Sequence, residues 1–446
     1  MRVSLAVNLL VPVLLASCSR PPGQALGGED ATPRLDAQPV PDTGPEAVCG
    51  DGDCTASETS QTCPADCAIV SLAATDGQTC AARVDGTVLC WGDILAPPSC
   101  SAAAAVPAIL DGPRSTISLS GALGTACAVQ ASGRLICWGS NEYGQLGTGA
   151  VTASELPGEV VDLREVVEGA VGGLSSCAVN ATGDVHCWGH ARDGLIGVAE
   201  DDPRVTWVPY SDASGQETIP LLLTPTRVEG IGSVVRIASA RNTTCVLVDG
   251  GAMACWGQNA IPYLDVPFPG DCHSSTVPCS VRFAASVQPV LMPGIAQAAT
   301  LGVGAWHLCV LHRNAAASCW GFGTEGQLGD GLGADSVDPV PVTGLDDGAA
   351  LASSGSHSCA VTASGEVRCW GRRSELGLNP IAGPDLLQPE LVPGLAGAIL
   401  AIALGRDHAC VALRDGTVRC WGENCHGQLG DGTSTSSLTP VAVIGL

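Results

Sequence analysis

One short pattern recurs seven times along the chain and limits its possible folds more than any other feature. At its clearest it is Cys410–Gly422, reading Cys-Val-Ala-Leu-Arg-Asp-Gly-Thr-Val-Arg-Cys-Trp-Gly. Two apolar runs flank Asp415-Gly416, a strong hairpin turn signal because glycine takes positive φ at little cost. If Leu413 pairs with Thr417 and Gly416 is left-handed, Cys410 and Cys420 fall opposite each other, within disulfide reach. The same ten-residue spacing joins Cys80 to Cys90, Cys127 to Cys137, Cys177 to Cys187, Cys245 to Cys255, Cys309 to Cys319 and Cys359 to Cys369. Every second cysteine is followed by Trp-Gly.

Twenty-three cysteines in 446 residues, regularly paired, indicate an oxidising compartment. The spacing lacks the short Cys-x2-Cys pairs of zinc sites. The formal net charge is −24 and all twenty basic residues are arginine. Such a surface repels nucleic acid and carries no basic patch for anionic lipid.

The N-terminal end reads as an export signal. Arg2 precedes an apolar run, Val3–Leu15, and Leu15-Ala16-Ser17-Cys18 resembles a bacterial lipoprotein box. Residues 1–17 are then the signal peptide, and Cys18 carries lipid as the first mature residue. Several acyl chains give stable anchoring. Ser19 after the lipidated cysteine favours the outer membrane of a bacterial envelope. Residues 18–48, rich in Pro, Gly, Ala and acids, read as a disordered tether. Residues 49–67 hold four cysteines with Asp51, Asp53, Glu58 and Asp66. So short a segment needs disulfides in place of a core. Its carboxylates admit calcium, although the spacing is not that of an EF-hand. A purely stapled spacer is the other reading.

Residues 69–446 are the repeat region. Successive Cys-Trp-Gly units lie 47, 50, 68, 64, 50 and 51 residues apart, a period that means a propeller or solenoid. Short strands between Gly-rich turns give about four strands per unit, with no competing helical period. The chain ends on an apolar strand, Thr439–Leu446, with no hairpin after it, whereas the first unit lacks such a leading strand. The expectation is an all-β, seven-bladed β-propeller in which the C-terminal strand completes the first blade and closes the ring.

Four elements carry a resemblance to a known family: the Gly-x-x-His position, which holds His307, His357 and His408, x-x-Gly-x-Val, Trp-Gly, and Gly-Gln-Leu-Gly-Asp-Gly-Thr at 427–433. Together they resemble the repeat of the regulator of chromosome condensation family, over residues 69–446. The resemblance implies a seven-bladed propeller. Nuclear members promote guanine-nucleotide exchange, a role that export and acidity argue against here. The paired cysteines, absent from nuclear members, suit an exported variant. Earlier units replace the histidine with Gln78, Thr125, Ser175 and Thr243, and Ala315 replaces one turn glycine.

The seven Trp of Cys-Trp-Gly read as packing between blades, and the three repeat histidines as structural groups bonding local backbone. No catalytic constellation stands out, and no cofactor is implied beyond the possible calcium. The informative residues interrupt the repeat. Two loops after Trp-Gly are oversized, His190–Leu223 and Gln258–Val287, on the same face of adjacent blades. They contain Trp207, Tyr210, Tyr263, Phe268 and Phe283 in a chain with only three Tyr and three Phe. Large aromatics on loops suit binding hot spots, and they equally suit a small satellite core. Cys272 pairs with Cys279 inside the second loop, and Cys100 with Cys425 beside the ring closure, on the arithmetic of the cysteines. The favoured function is a monomeric, lipid-anchored scaffold for a protein or glycan. An envelope-acting lyase or hydrolase, or a purely structural envelope protein, are the alternatives.

Overall fold

A computed structural model describes residues 54, 58, 63–95, 105–212, 215–241, 243–257, 286–376, 384–395 and 397–446. Each hairpin forms as its residues dictate. In Cys410–Gly422, the Leu413 N–H donates to the Thr417 carbonyl at 2.8 Å and the Gly416 N–H to the Leu413 carbonyl at 3.0 Å. Gly416 has φ 84°. The Asp415 carboxylate accepts from the Thr417 N–H at 2.9 Å, which fixes the turn. Cys410 then faces Cys420. The same pairing holds in all seven hairpins, each disulfide-bonded with a Cα–Cα distance of 4.1 Å.

Seven antiparallel sheets result, each built on one hairpin. In blade one the strands are Ile69–Ala74, Gln78–Arg83, Val88–Gly92 and the short Ala108–Ile109. In blade seven they are Ile399–Leu404, His408–Leu413, Val418–Gly422 and Ser437–Ala442. Neighbouring inner strands lie against each other right round the ring, including Ile399–Leu404 against Ile69–Ala74. The protein is a seven-bladed β-propeller. Burial falls from the centre outward: His408–Leu413 is buried at every position, whereas Ser437–Ala442 is half-buried or exposed. The seven repeat tryptophans are all buried between blades.

Ring closure differs from the sequence expectation. The C-terminal strand Ser437–Ala442 pairs with Val418–Gly422 of its own blade, with Cys420 opposite Val441, and does not complete blade one. The segments read as leading strands are the outer strands of the preceding blade; Val340 faces Cys319, for example. The seam between blades seven and one is closed by packing. Leu429 and Leu446 share an apolar cluster with Ile69, Leu89 and Trp91.

Blade three carries a fifth strand. The first oversized loop is a two-stranded ribbon, Thr206–Asp212 against Gly215–Arg227. The far end of the longer strand serves as the blade's outer strand, with Thr226 opposite Cys187. Antiparallel connectivity puts the first-to-second strand turns and the loops after Trp-Gly on one face, here the insertion face. The Asp415-Gly416-type turns lie on the other, the turn face. The N-terminal module meets the turn face: the Cys54 N–H donates to Asp85 Oδ2 at 3.2 Å. Cys54 is bonded to Cys67, and Cys63 is also disulfide-bonded.

Candidate functional site

The repeat residues at the insertion face first explain how blades are joined. The three glutamine carbonyls in complete Gly-Gln-Leu-Gly loops each accept the indole N–H of the next blade's tryptophan. Gln145 O accepts from Trp188 at 2.8 Å, Gln327 O from Trp370 at 3.0 Å and Gln428 O from Trp91 at 2.9 Å. The closing glycine is needed for that approach: a Cβ on Gly430 would lie 2.8 Å from Trp91 Nε1. In blade three the loop reads Gly194-Leu195-Ile196-Gly197, and the Trp256 indole N–H that follows has no partner among the described residues.

The histidines join blades too, through side chains and not through the local backbone expected from sequence. His307 Nε2 lies 2.7 Å from Ser358 Oγ of blade six. His408 Nε2 lies 2.8 Å from Thr79 Oγ1 of blade one. The position equivalent to Ser358 in blade seven is Ala409, which offers His357 no hydroxyl. His357 instead turns Nδ1 toward Glu375 Oε2 at 3.4 Å, and its Nε2 is without a partner among the described residues. Burial holds His307 and His408 neutral, with pKa values lowered to about 3. Nearer the turn face, Ser71 Oγ accepts the Leu119 N–H of the next blade at 3.0 Å. Glu168 takes the equivalent role toward Ile237, and burial raises its pKa to about 7.

At the centre of the insertion face the inner strands end around a cavity of about 780 Å³. Its walls carry three carboxylates, Asp76, Glu142 and Glu375, and three guanidinium groups, Arg241, Arg372 and Arg406. Glu375 is held in place: Oε2 accepts the Ser356 N–H at 2.5 Å, and Oε1 lies 3.5 Å from Arg372 Nη1. Burial pushes its carboxyl up, but the His357 and Ser356 hydrogen bonds and Arg372 outweigh this and leave it below the usual range. Burial raises Asp76, against the opposing pull of Arg406 and Arg241. Asp407, beside Arg406, is pushed up to about 6 by burial. Tyr143 of blade two and Trp306 of blade five line the cavity from opposite sides of the ring.

Both aromatics are braced from outside. Tyr143 lies 5.7 Å from the Tyr210 ring and 5.3 Å, edge-on, from His190, with its hydroxyl 3.2 Å from that of Tyr210. Trp306 meets Phe322 edge-on at 5.7 Å. The ribbon thus leans on blade two, where the Gly149 N–H also donates to the Leu223 carbonyl at 3.2 Å. Of the sequence-predicted aromatics, Tyr210 joins the cavity wall through Tyr143, and Trp207 stands 51% exposed on the ribbon. Tyr263, Phe268 and Phe283 lie outside the described residues, as do Cys18, Cys272, Cys279, Asp51, Asp53 and Cys100, the partner assigned to Cys425. Glu58 and Asp66 are buried close to Cys63, whose sulfur is in a disulfide and is not a thiolate ligand.

The Regulator of chromosome condensation (RCC1) repeat matches residues 349–375 and 399–428 in one form and 132–179 and 415–446 in another. The chain carries regulator of chromosome condensation repeats. Among solved structures, Prp20p from Saccharomyces cerevisiae is similar at 19% identity and a TM-score of 0.64, over 81% of this chain and 87% of that one. That structure was reported with its binding properties to Gsp1p and histones. Yeast RCC1 (Prp20) bound to Kap60 is similar at 18% identity and a TM-score of 0.62, over 80% of this chain and 84% of that one. These likenesses show the shared fold. A search of the curated proteins found no match.

The regulator of chromosome condensation repeat accounts for the joints between blades but not for Tyr143, Trp306 and Phe322, which loop length alone does not single out. Another signal finds them. Outside Cys-Trp-Gly, the aromatics among the described residues are Tyr143, Trp207, Tyr210, Trp306 and Phe322, and all five stand on the insertion face. Sorting aromatics by face, not by the length of the loop that bears them, brings the cavity into view.

Proposed function

We propose that the protein is an exported binding scaffold that holds a protein or glycan ligand against its insertion face. The observation that carries this reading is the one-sided placement of those five aromatics. A core-packing role would spread them over both faces, whereas binding surfaces concentrate large aromatics around their centre. Yeast RCC1 (Prp20), which shares the fold, is known in a complex with Kap60, which supports a protein as one class of ligand. Fold alone does not transfer a partner. Support for export comes from the Leu15-Ala16-Ser17-Cys18 box and from a disulfide in every blade. Support for binding over catalysis comes from Glu375, an ionised anchor tied to Ser356 and Arg372, and from the full burial of His357 beside it.

Photo-cross-linking tests the face directly. A benzophenone side chain replaces Trp207 in one variant and Glu366, at a turn-face hairpin tip, in another. In cells that make the protein, adducts form from position 207 and not from 366. Adducts confined to position 366 reject this reading.

A further inference from the structure

We propose that the central cavity is a subsite for an uncharged saccharide, held between Trp306 and Tyr143. This rests on the binding-scaffold reading and names the ligand class for that site. Three observations support it. The first is charge. The chain carries 44 acidic and 20 basic residues, so most of its surface repels anions. Inside the cavity the balance is different, with three carboxylates facing three guanidinium groups. A phosphate or acidic sugar would meet Asp76, Glu142 and Glu375, and a cationic peptide would meet Arg241, Arg372 and Arg406. A neutral ligand rich in hydroxyl groups meets neither penalty and uses both sets.

The second is hydrogen-bonding chemistry. A carboxylate presents two acceptor oxygens and a guanidinium a fork of donors, and each matches a pair of neighbouring hydroxyls. Glu375 is already placed by the Ser356 N–H and by Arg372. Little ordering remains to be done when a ligand arrives, which favours affinity.

The third is shape. The cavity's volume of about 780 Å³ falls in the range of small-ligand sites, about 300–1,000 Å³. Its two aromatic walls come from opposite blades and are each buttressed by a second ring, Tyr210 and Phe322. Flat, fixed rings suit the C–H faces of a pyranose, while the polar groups between them take its hydroxyl edge.

The test uses the full mature chain on a printed array of neutral, uronic, sialylated and sulfated oligosaccharides, followed by calorimetry with a neutral glycan that binds. The expected result is retention of at least one neutral family, weakened at least tenfold by Trp306→Ala and by Asp76→Asn, with Glu366→Gln unchanged. Circular dichroism checks that Trp306→Ala folds; if it does not, Asp76→Asn decides. An array without neutral binders, binding of anionic glycans alone, or wild-type affinity in the deciding variant overturns the proposal. The cross-linking at position 207 reports on the face independently, so a silent array with adducts intact rejects the saccharide and leaves the scaffold reading standing.

Discussion

At Ala315 a methyl group occupies a turn position that is glycine in the other six hairpins, and the backbone there still adopts φ 69°. A left-handed L-residue costs roughly 1–2 kcal/mol, and the greater freedom of glycine when unfolded returns about 0.4–1 kcal/mol. Ala315→Gly is therefore expected to stabilise the protein by about 1 kcal/mol, measured by denaturant unfolding. Gly430→Ala acts in the opposite sense. It combines φ 67° with a Cβ driven against Trp91 at the ring seam, and should destabilise by about 2 kcal/mol or more. Both positions are left-handed, yet only Gly430 has a tryptophan pressed on it, so the two substitutions have opposite consequences.

The hairpin was legible because everything that forms it is local: the turn residues, the ten-residue spacing and the flanking apolar runs. Ownership of the outer strands was not. Pro339–Val342 follows one hairpin and precedes the next, and its sequence suits either blade; only its pairing with Ala317–Gly321 assigns it. That phase ambiguity produced the expected strand exchange at the closure. The ribbon was visible as excess length, but its strand pairing was not. The histidine joints depend on which residue stands opposite in the next blade, 51 positions away for His307 and 329 for His408 across the ring closure. At this scale each hairpin disulfide closes a ten-residue loop, worth about 3 kcal/mol through restriction of the unfolded chain. Reduction under native conditions should therefore lower the unfolding midpoint sharply, with free thiols titrated by alkylation in step.

The blade joints also set a pH response. His307 and His408 ionise near 6.5 when unfolded and near 3 when folded. Their neutral forms contribute stability that is complete above pH 6.5 and is lost as pH falls from there toward 3. Gln78 holds the equivalent position in blade one, so glutamine fits this site. A His307→Gln, His408→Gln variant should lose less melting temperature than the parent between pH 7 and pH 4.5 in scanning calorimetry.

On the scale of the whole molecule, seven similar blades make a ring whose frame is uniform and whose individuality lies on one face. The proposed lipid on Cys18 is tested at this scale. Cells fed an alkyne fatty acid should label the parent chain and not a Cys18→Ala variant, read by gel fluorescence. The contact between the Cys54 N–H and Asp85 then acquires a directional meaning. The inner strand of blade one starts on the turn face, and the four-cysteine module is docked beside it. Together with the proposed lipid on Cys18, this contact would set the ring with its turn face to the bilayer and its cavity opening outward, like a dish on a stalk.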